Sequence, residues 1–393
     1  MALTVKDNTK VAVEIEVTEG TYVAPTADTS FVQTLSDGFE LTPAKELLER
    51  SIFNGSIGKT TPRTGTRTVS GSIPVECRAS ETTGDAPEYD KLLRSAMGSR
   101  KQLAAPVTTK TGNTASVLQI DDADIGEFEV DDIILVKEAG AYWVSPITAV
   151  DPSSGTANIT LLMAAGSPFS DNVEIEAFTA YRCADSGHPA LSISKYVEDA
   201  RREIAVGARV SSMSLDNFTT GQLASWNFGF EGLDFDTTLT AIPFTPNYQD
   251  SLPPVILNAC LFQDGVDIQV NELTISLENT LGFATSTCSS NGRISGRATE
   301  RNVSGTFNPY KQDDDIDNFS KFKDNTEYSL FAFAYNPSGV AGEYEQIVAV
   351  YMPYCVSTEL GESDQDGLLV EDISFTAGRG SDGTGNELVV AFI

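Results

Sequence analysis

Apolar and polar residues alternate with period two along most of this chain, the signature of half-buried β-strands. Residues 11–17 read Val-Ala-Val-Glu-Ile-Glu-Val, and related alternation returns at 39–42, 63–75, 189–193, 204–215, 223–230 and 367–378. Turn chemistry separates these runs. Gly20 follows Glu19, Pro25 opens an extended segment, and residues 51–65, rich in Gly, Thr and Ser with Pro62, read as a long loop or arm. Residues 89–97 instead keep helical spacing, and Gly98 stands where a C-cap belongs. A shorter helix is expected near 318–323. The pattern predicts a mainly β protein with two short helices.

One stretch occurs twice. Residues 56–71 and 290–305 align without a gap, and Ser56, Gly58, Arg63, Arg67, Val69, Ser70 and Gly71 meet Ser290, Gly292, Arg297, Arg301, Val303, Ser304 and Gly305. Lys59 meets Arg293, so positive charge recurs there as well. Glu40-Leu41-Thr42 returns as Glu272-Leu273-Thr274, and the two expected helices follow at matching places. Self-similarity of this kind predicts an internal duplication. Residues 101–182 have no counterpart in the second half. Strand signals at 116–120, 133–137, 142–150 and 158–163 make that block a small inserted β domain in the first copy. The expected division is therefore 1–100 with 183–240 as a discontinuous first domain, 101–182 as the insertion and surface decoration, 241–254 as a Pro-rich linker, and 255–393 as the second domain.

Composition narrows the function. At 393 residues the chain can build two or three domains. Its formal charge of −30 argues against tight binding to nucleic-acid phosphates, which needs basic residues to release counterions. A hydrophobic share of 40% places that acid on a folded body rather than a disordered tail. The start lacks a basic region followed by an apolar run, so no secretory signal is expected, and no apolar run is long enough to cross a bilayer. Five scattered cysteines without a Cys-x-x-Cys read as free thiols in a reducing compartment.

Candidate chemistry fails on spacing. Gly58-Lys59-Thr60 ends like a phosphate-binding loop, yet Phe53 stands where its first glycine is required. Residues 313–324 mimic a calcium loop with Asp313, Asp315 and Asp317, but Asn318 replaces the central Gly and Asp324 the closing Glu, so an acidic turn capping a short helix is the simpler reading. His188 is the single histidine, which excludes a relay or a metal site with repeated histidine ligands. Trp143 and Trp226 sit in alternating strands and read as core. No enzymatic activity, catalytic residue, cofactor or metal is expected. The arginine repeat remains. On extended strands, Arg63, Arg67, Val69, Gly71 and Ile73 share one face, as do Arg297, Arg301, Val303, Gly305 and Phe307. The opposite faces carry Thr64, Thr66, Thr68, Ser70 and Ser72, and Ala298, Glu300, Asn302, Ser304 and Thr306. Six basic side chains, Lys59, Arg63, Arg67, Arg293, Arg297 and Arg301, stand out in so acidic a chain and are expected to meet carboxylates of a neighbouring subunit.

These residues carry a resemblance. The segment Glu19-Gly20-Thr21-Tyr22-Val23-Ala24-Pro25-Thr26, the Arg-x-x-x-Arg-x-Val-Ser-Gly strand, residues 207–216 and 221–232, Thr274-Ile275-Ser276-Leu277-Glu278-Asn279 and residues 314–328 together resemble the major tail tube proteins of long-tailed, non-contractile bacteriophages. The resemblance covers nearly all the chain outside 101–182. It implies two tandem β-sandwich or barrel-like tube domains, each with a short helix, plus the inserted domain. It further implies a structural virion protein whose sheets join edge to edge into rings, with an arm reaching the adjacent ring and the stacked rings forming a DNA conduit. Its partners would be other copies of itself, tail tip and tail terminator proteins, a tape-measure protein, and DNA passing without tight binding, with no membrane. Assembly would take place in the host cytoplasm. Two domains per chain suggest a homotrimeric, pseudo-hexameric ring rather than a homohexamer. Thr64, Thr66, Thr68, Glu300 and Asn302 would face the lumen. A carbohydrate-binding or adhesin-like tandem β protein is the alternative.

Overall fold

The computed structural model describes residues 8–393 apart from 54, 56, 139, 153, 154, 312–316, 341 and 381–385. The first half opens with β1 (Thr9–Ile15), β2 (Phe31–Val32), β3 (Glu40–Leu48) and β4 (Arg63–Glu76), then α1 (Asp90–Met97) and β5 (Gly98–Leu103). Six strands follow: β6 (Val107–Thr108), β7 (Val117–Ile120), β8 (Ile133–Glu138), β9 (Ala141–Asp151), β10 (Ala157–Leu161) and β11 (Glu174–Ile175). β12 (Phe178–Cys183), β13 (Leu191–Val197), β14 (Arg201–Thr219), β15 (Ser225–Gly232) and β16 (Asp234–Thr238) complete that half. The second half holds β17 (Ala259–Gln263), β18 (Val266–Ile268), β19 (Val270–Thr285), β20 (Arg293–Pro309), α2 (Asn318–Asp324), β21 (Tyr328–Pro337), β22 (Tyr344–Gln365), β23 (Leu368–Ala377) and β24 (Val389–Phe392). The protein is mainly β, and both short helices stand where the sequence pattern places them. Gly98 closes α1 in the left-handed conformation, at φ 92°.

The two halves repeat one strand order. In the first, antiparallel neighbours run β1–β13–β14–β15–β4–β3. In the second they run β17–β21–β22–β23–β20–β19. A return strand, β16 or β24, pairs with the beginning of the long strand in each half. The register repeats as well. Gly71 lies between Phe230 and Leu41, and Gly305 between Phe375 and Ile275. A bulge follows Val210 in β14 and Ser357 in β22, each opposite the repeated phenylalanine.

This register explains the repeated glycine. A Cβ on Gly71 would lie 2.0 Å from the Glu40 carbonyl oxygen and 2.7 Å from the Phe230 ring. On Gly305 it would lie 2.2 Å from the Thr274 oxygen and 2.6 Å from the Phe375 ring. Backbone and aromatic ring close on the strand from both sides, so only glycine fits. The register also equates Leu41 with Ile275 rather than with Leu273. The Glu-Leu-Thr echo is thus out of step by two residues, a shift that leaves the buried face unchanged because the side-chain period is two.

The main core runs through both halves. Val69, Ile73, Trp226, Phe228 and Phe230 join Ile275, Leu277, Val303, Phe307 and Phe375 in one buried cluster. The inserted block leaves the large sheet after β5 and returns at β12, since these two strands pair with each other and β12 pairs with β24. Its own six-stranded sheet runs β6–β11–β8–β9–β10–β7. Ile134, Val136 and Ile159 there share a core with Phe331, Phe333, Tyr351 and Val389 of the second half. The block springs from one half and covers the other, so it is more than an ornament on the first copy. The Pro-rich segment 241–254 lies against the first half: Arg78 donates to the Ser251 carbonyl at 3.0 Å, and Ile242 and Tyr248 pack on Phe31 and Tyr196.

Candidate functional site

The motifs that suggested small-ligand chemistry fall in ordinary surroundings. Gly58-Lys59-Thr60 lies between the paired strands β3 and β4, with no helix N-terminus among the described residues of that connection to receive a phosphate. Asp313 and Asp315 lie outside the described residues. Asp317 caps α2, accepting from the Ser320 amide at 2.9 Å. No metal-holding group of His, Cys, Asp or Glu exists among the described residues. Both His188 ring nitrogens lie 3.0 Å from backbone carbonyls, of Ser95 and Ala184, which leaves the ring a structural tie. Burial pushes the thiols of Cys77 and Cys183 up to about 12, so neither supplies a thiolate at neutral pH. Trp226 is fully buried and Trp143 donates to the Met163 carbonyl. No helix is long and apolar enough to cross a membrane among the described residues.

The arginine repeat resolves into two kinds of residue. Arg67 meets Asp234 of β16 at 2.6 Å, and Arg301 meets Glu387, just before β24, with oxygens at 2.8 and 2.9 Å. These are corresponding ion pairs, each tying a repeat strand to the return strand of its own half. Arg301 also donates to the Ala184 carbonyl at 2.8 Å and so joins the halves. Arg293 stacks on Phe283, its guanidinium carbon 4.4 Å from the ring centre. Arg67 and Arg301 therefore find carboxylates inside the chain. Arg63 and Arg297 are exposed, and Lys59 lies 3.5 Å from Glu49. Of the hydroxyl and polar positions on the other face, Thr64, Glu300 and Asn302 are exposed, while Thr66 and Thr68 are half-buried, Thr66 donating to Glu46.

What the sequence did not announce is the seam between the halves. The end of β14 pairs with β19, setting Ser212 opposite Glu278, Met213 opposite Leu277, Ser214 opposite Ser276 and Leu215 opposite Ile275. Met213, Leu215, Ile275 and Leu277 are all buried there. Polar ties flank the strands. Asn279 donates to the carbonyls of Ala96 and Val210, at 2.9 and 3.3 Å, and Glu19 accepts from the Gly296 amide and from Arg209. The Asn291 amide reaches the Leu233 carbonyl at 3.0 Å, which anchors the tip of the β19–β20 hairpin on the first half.

Each partner in that seam has a counterpart that pairs with nothing further. Among the described residues, β3 pairs only with β4, and β22 beyond Ser357 pairs only with β23. Register equivalence matches the β3 edge to the seam strand β19, and the end of β22 to the seam strand β14. The tip of the β3–β4 hairpin is likewise uncovered: Ile52, Phe53 and Ile57 are exposed, Phe53 and Ile57 completely. Both seam strands thus have counterparts with an unpaired edge, and the hairpin beside one of them exposes Ile52, Phe53 and Ile57.

A family model described as phage tail tube protein matches residues 6–377. No curated protein matches the chain.

Proposed function

The chain belongs to the phage tail tube protein family, and from that premise we propose that three copies close head to tail into a pseudo-hexameric ring, and that stacked rings form the tube of a non-contractile tail. Family membership makes it a structural, self-associating protein of the virion tail. The three-chain ring rests on one observation. The first half presents its long-strand edge to the second half within the chain, through β14 and β19, while the equivalent edges β22 and β3 are left open. A head-to-tail contact of this type generates a ring when the rotation closes, and the internal seams of three chains would supply three of its six joints, one in each chain.

In this reading residues 1–100 and 183–240 form one tube domain and 255–393 the other, with the insertion placed three times around each ring. The apolar arm at 49–62 reaches the adjacent ring. The polar faces of β4 and β20, with Thr64, Thr66, Thr68, Glu300 and Asn302, turn toward the lumen. A chain of charge −30 offers phosphates little to hold, so DNA slides through during ejection. Tail tip, terminator and tape-measure proteins would meet the tube at its ends and within it. Electron microscopy of the purified, polymerised protein tests this. Three-fold rings with three bumps from the insertion are expected, and six whole chains per ring would overturn the stoichiometry.

A further inference from the structure

On the tail tube reading, we infer that the joint between chains is an antiparallel pairing of β22 residues 359–362 of one copy with β3 residues 41–44 of the next, in the register of the internal seam. The alignment comes from the fold alone. The shared bulge makes Ser357 the counterpart of Val210, and so Glu359 that of Ser212. The shared glycine makes Leu41 the counterpart of Ile275. Transferring the internal pairs then sets Glu359 opposite Ala44, Leu360 opposite Pro43, Gly361 opposite Thr42 and Glu362 opposite Leu41.

Burial supports the occupant being a second copy. Leu41 and Leu360 are half-buried, packed on the edge of the main core, whereas their counterparts Ile275 and Met213 are each 1% exposed. The missing cover on each is what the other edge supplies. Both edges also leave a row of backbone donors and acceptors unpaired, which an antiparallel strand satisfies. Lys45 stands where Asn279 donates to a last-turn carbonyl of α1 and to Val210, so in the joint its ammonium faces the end of α2 and the Ser357 carbonyl, a favoured place for a cation.

The two seams differ in chemistry. Leu215 is replaced by Glu362, which pairs with Lys311 at 2.7 Å, and Leu277 by Pro43, which lacks a backbone donor. A charged position and a proline on open edges are devices that restrain unwanted strand pairing. The joint between chains is therefore the less apolar one, and it closes after each chain has folded.

Paired cysteines test the register. In a Cys288→Ser background, which removes the exposed native thiol, Thr42→Cys is combined with Gly361→Cys, a position where a Cβ meets nothing closer than 3.7 Å. Oxidation of assembled protein is expected to yield covalent dimers and closed trimers, absent from either single variant. The displaced pair Thr42→Cys with Glu359→Cys should yield neither, because Glu359 lies two residues from the position opposite Thr42, a diagonal of about 7–8 Å that a disulfide does not span. Cross-linking by the displaced pair, or tubes visible by negative stain in which the in-register pair stays reduced, overturns this register and leaves the tube reading intact. Protein that forms neither rings nor tubes overturns both. As a second check, Leu41→Asp should leave a folded chain, its melting temperature lowered by no more than a few degrees, that no longer closes rings; rings from that variant would refute the joint.

Discussion

The β19–β20 hairpin and the β3–β4 hairpin occupy the same position in their respective halves and meet opposite fates. The first is paired on its outer edge by β14, with its seven-residue tip (286–292) held at Leu233. The second has the same strand neighbours inward and an outer edge without a strand partner among the described residues, and beyond it Ile52, Phe53 and Ile57 are exposed. If the proposed joint forms, one hairpin shows what the other receives: the chain would carry a worked instance of its own assembly contact, and differences between the copies would mark where a joint within the chain gives way to one between chains.

The sharpest way to break this comparison is to place one charge at matching sites. Ile275→Asp buries an unpaired carboxylate in the internal seam and is expected to cost more than about 4 kcal/mol, abolishing soluble expression. Leu41→Asp should cost under about 1 kcal/mol in the unassembled chain, because the side chain is already half in water. Urea unfolding and expression yield measure both, and equal costs would deny that the two sites differ in cover.

Next in size are the repeated ion pairs. Arg301 is only 11% exposed against Glu387, which keeps Arg379 at 3.4 Å, so Arg301→Met removes a well-shielded ion pair without orphaning the carboxylate and should cost about 2 kcal/mol. Arg67 is 38% exposed, and Arg67→Met should cost at most about 1 kcal/mol after solvent screening. A smaller loss at Arg301 than at Arg67 would mean that the bond from Arg301 to Ala184 across the halves contributes nothing. The glycines should behave alike: Gly71→Ala and Gly305→Ala each force a backbone carbonyl and a ring aside, at about 1–3 kcal/mol. Calorimetric melting of the two variants side by side would show whether the copies resist equally.

Much of this fold was legible because local physics writes it into the chain. Period-two alternation located the strands, and Gly98 the end of α1. The repeat was visible because Gly71 and Gly305 are fixed by close backbone approach, and Arg67 and Arg301 by equivalent ion pairs. The carboxylates were not legible. Asp234 lies 167 residues from Arg67 and Glu387 lies 86 from Arg301, and a carboxylate partner leaves no local pattern among 56 acids. The seam was hidden for the same reason: Leu215 and Ile275 alternate like any strand residues, and nothing in a strand names its neighbour. The insertion misled in another way. Its strands were evident, but its core against Phe331 and Tyr351 of the second half required the fold.

The finest test uses the first turn after each opening strand. Glu16 and Asp264 correspond, since the Glu16 amide donates to the Ala190 carbonyl at 2.8 Å and the Asp264 amide to Ser329 at 3.0 Å. Asp264 is half-exposed and paired with Lys321. Glu16 is buried, and desolvation raises its carboxyl above 4.5 despite bonds from the Gly207 and Gly20 amides and from Ser192. A carboxyl raised in the folded state binds its proton more tightly there than in the unfolded chain. Its stabilising contribution is complete below about pH 4.5 and is lost as pH rises through the folded value. The stability of the native protein relative to Glu16→Gln should therefore fall as pH is raised from 4 toward neutrality, then level off. Urea midpoints of the unassembled chains across that range decide it, and a relative stability that rises with pH would place Glu16 in a setting that favours its charge.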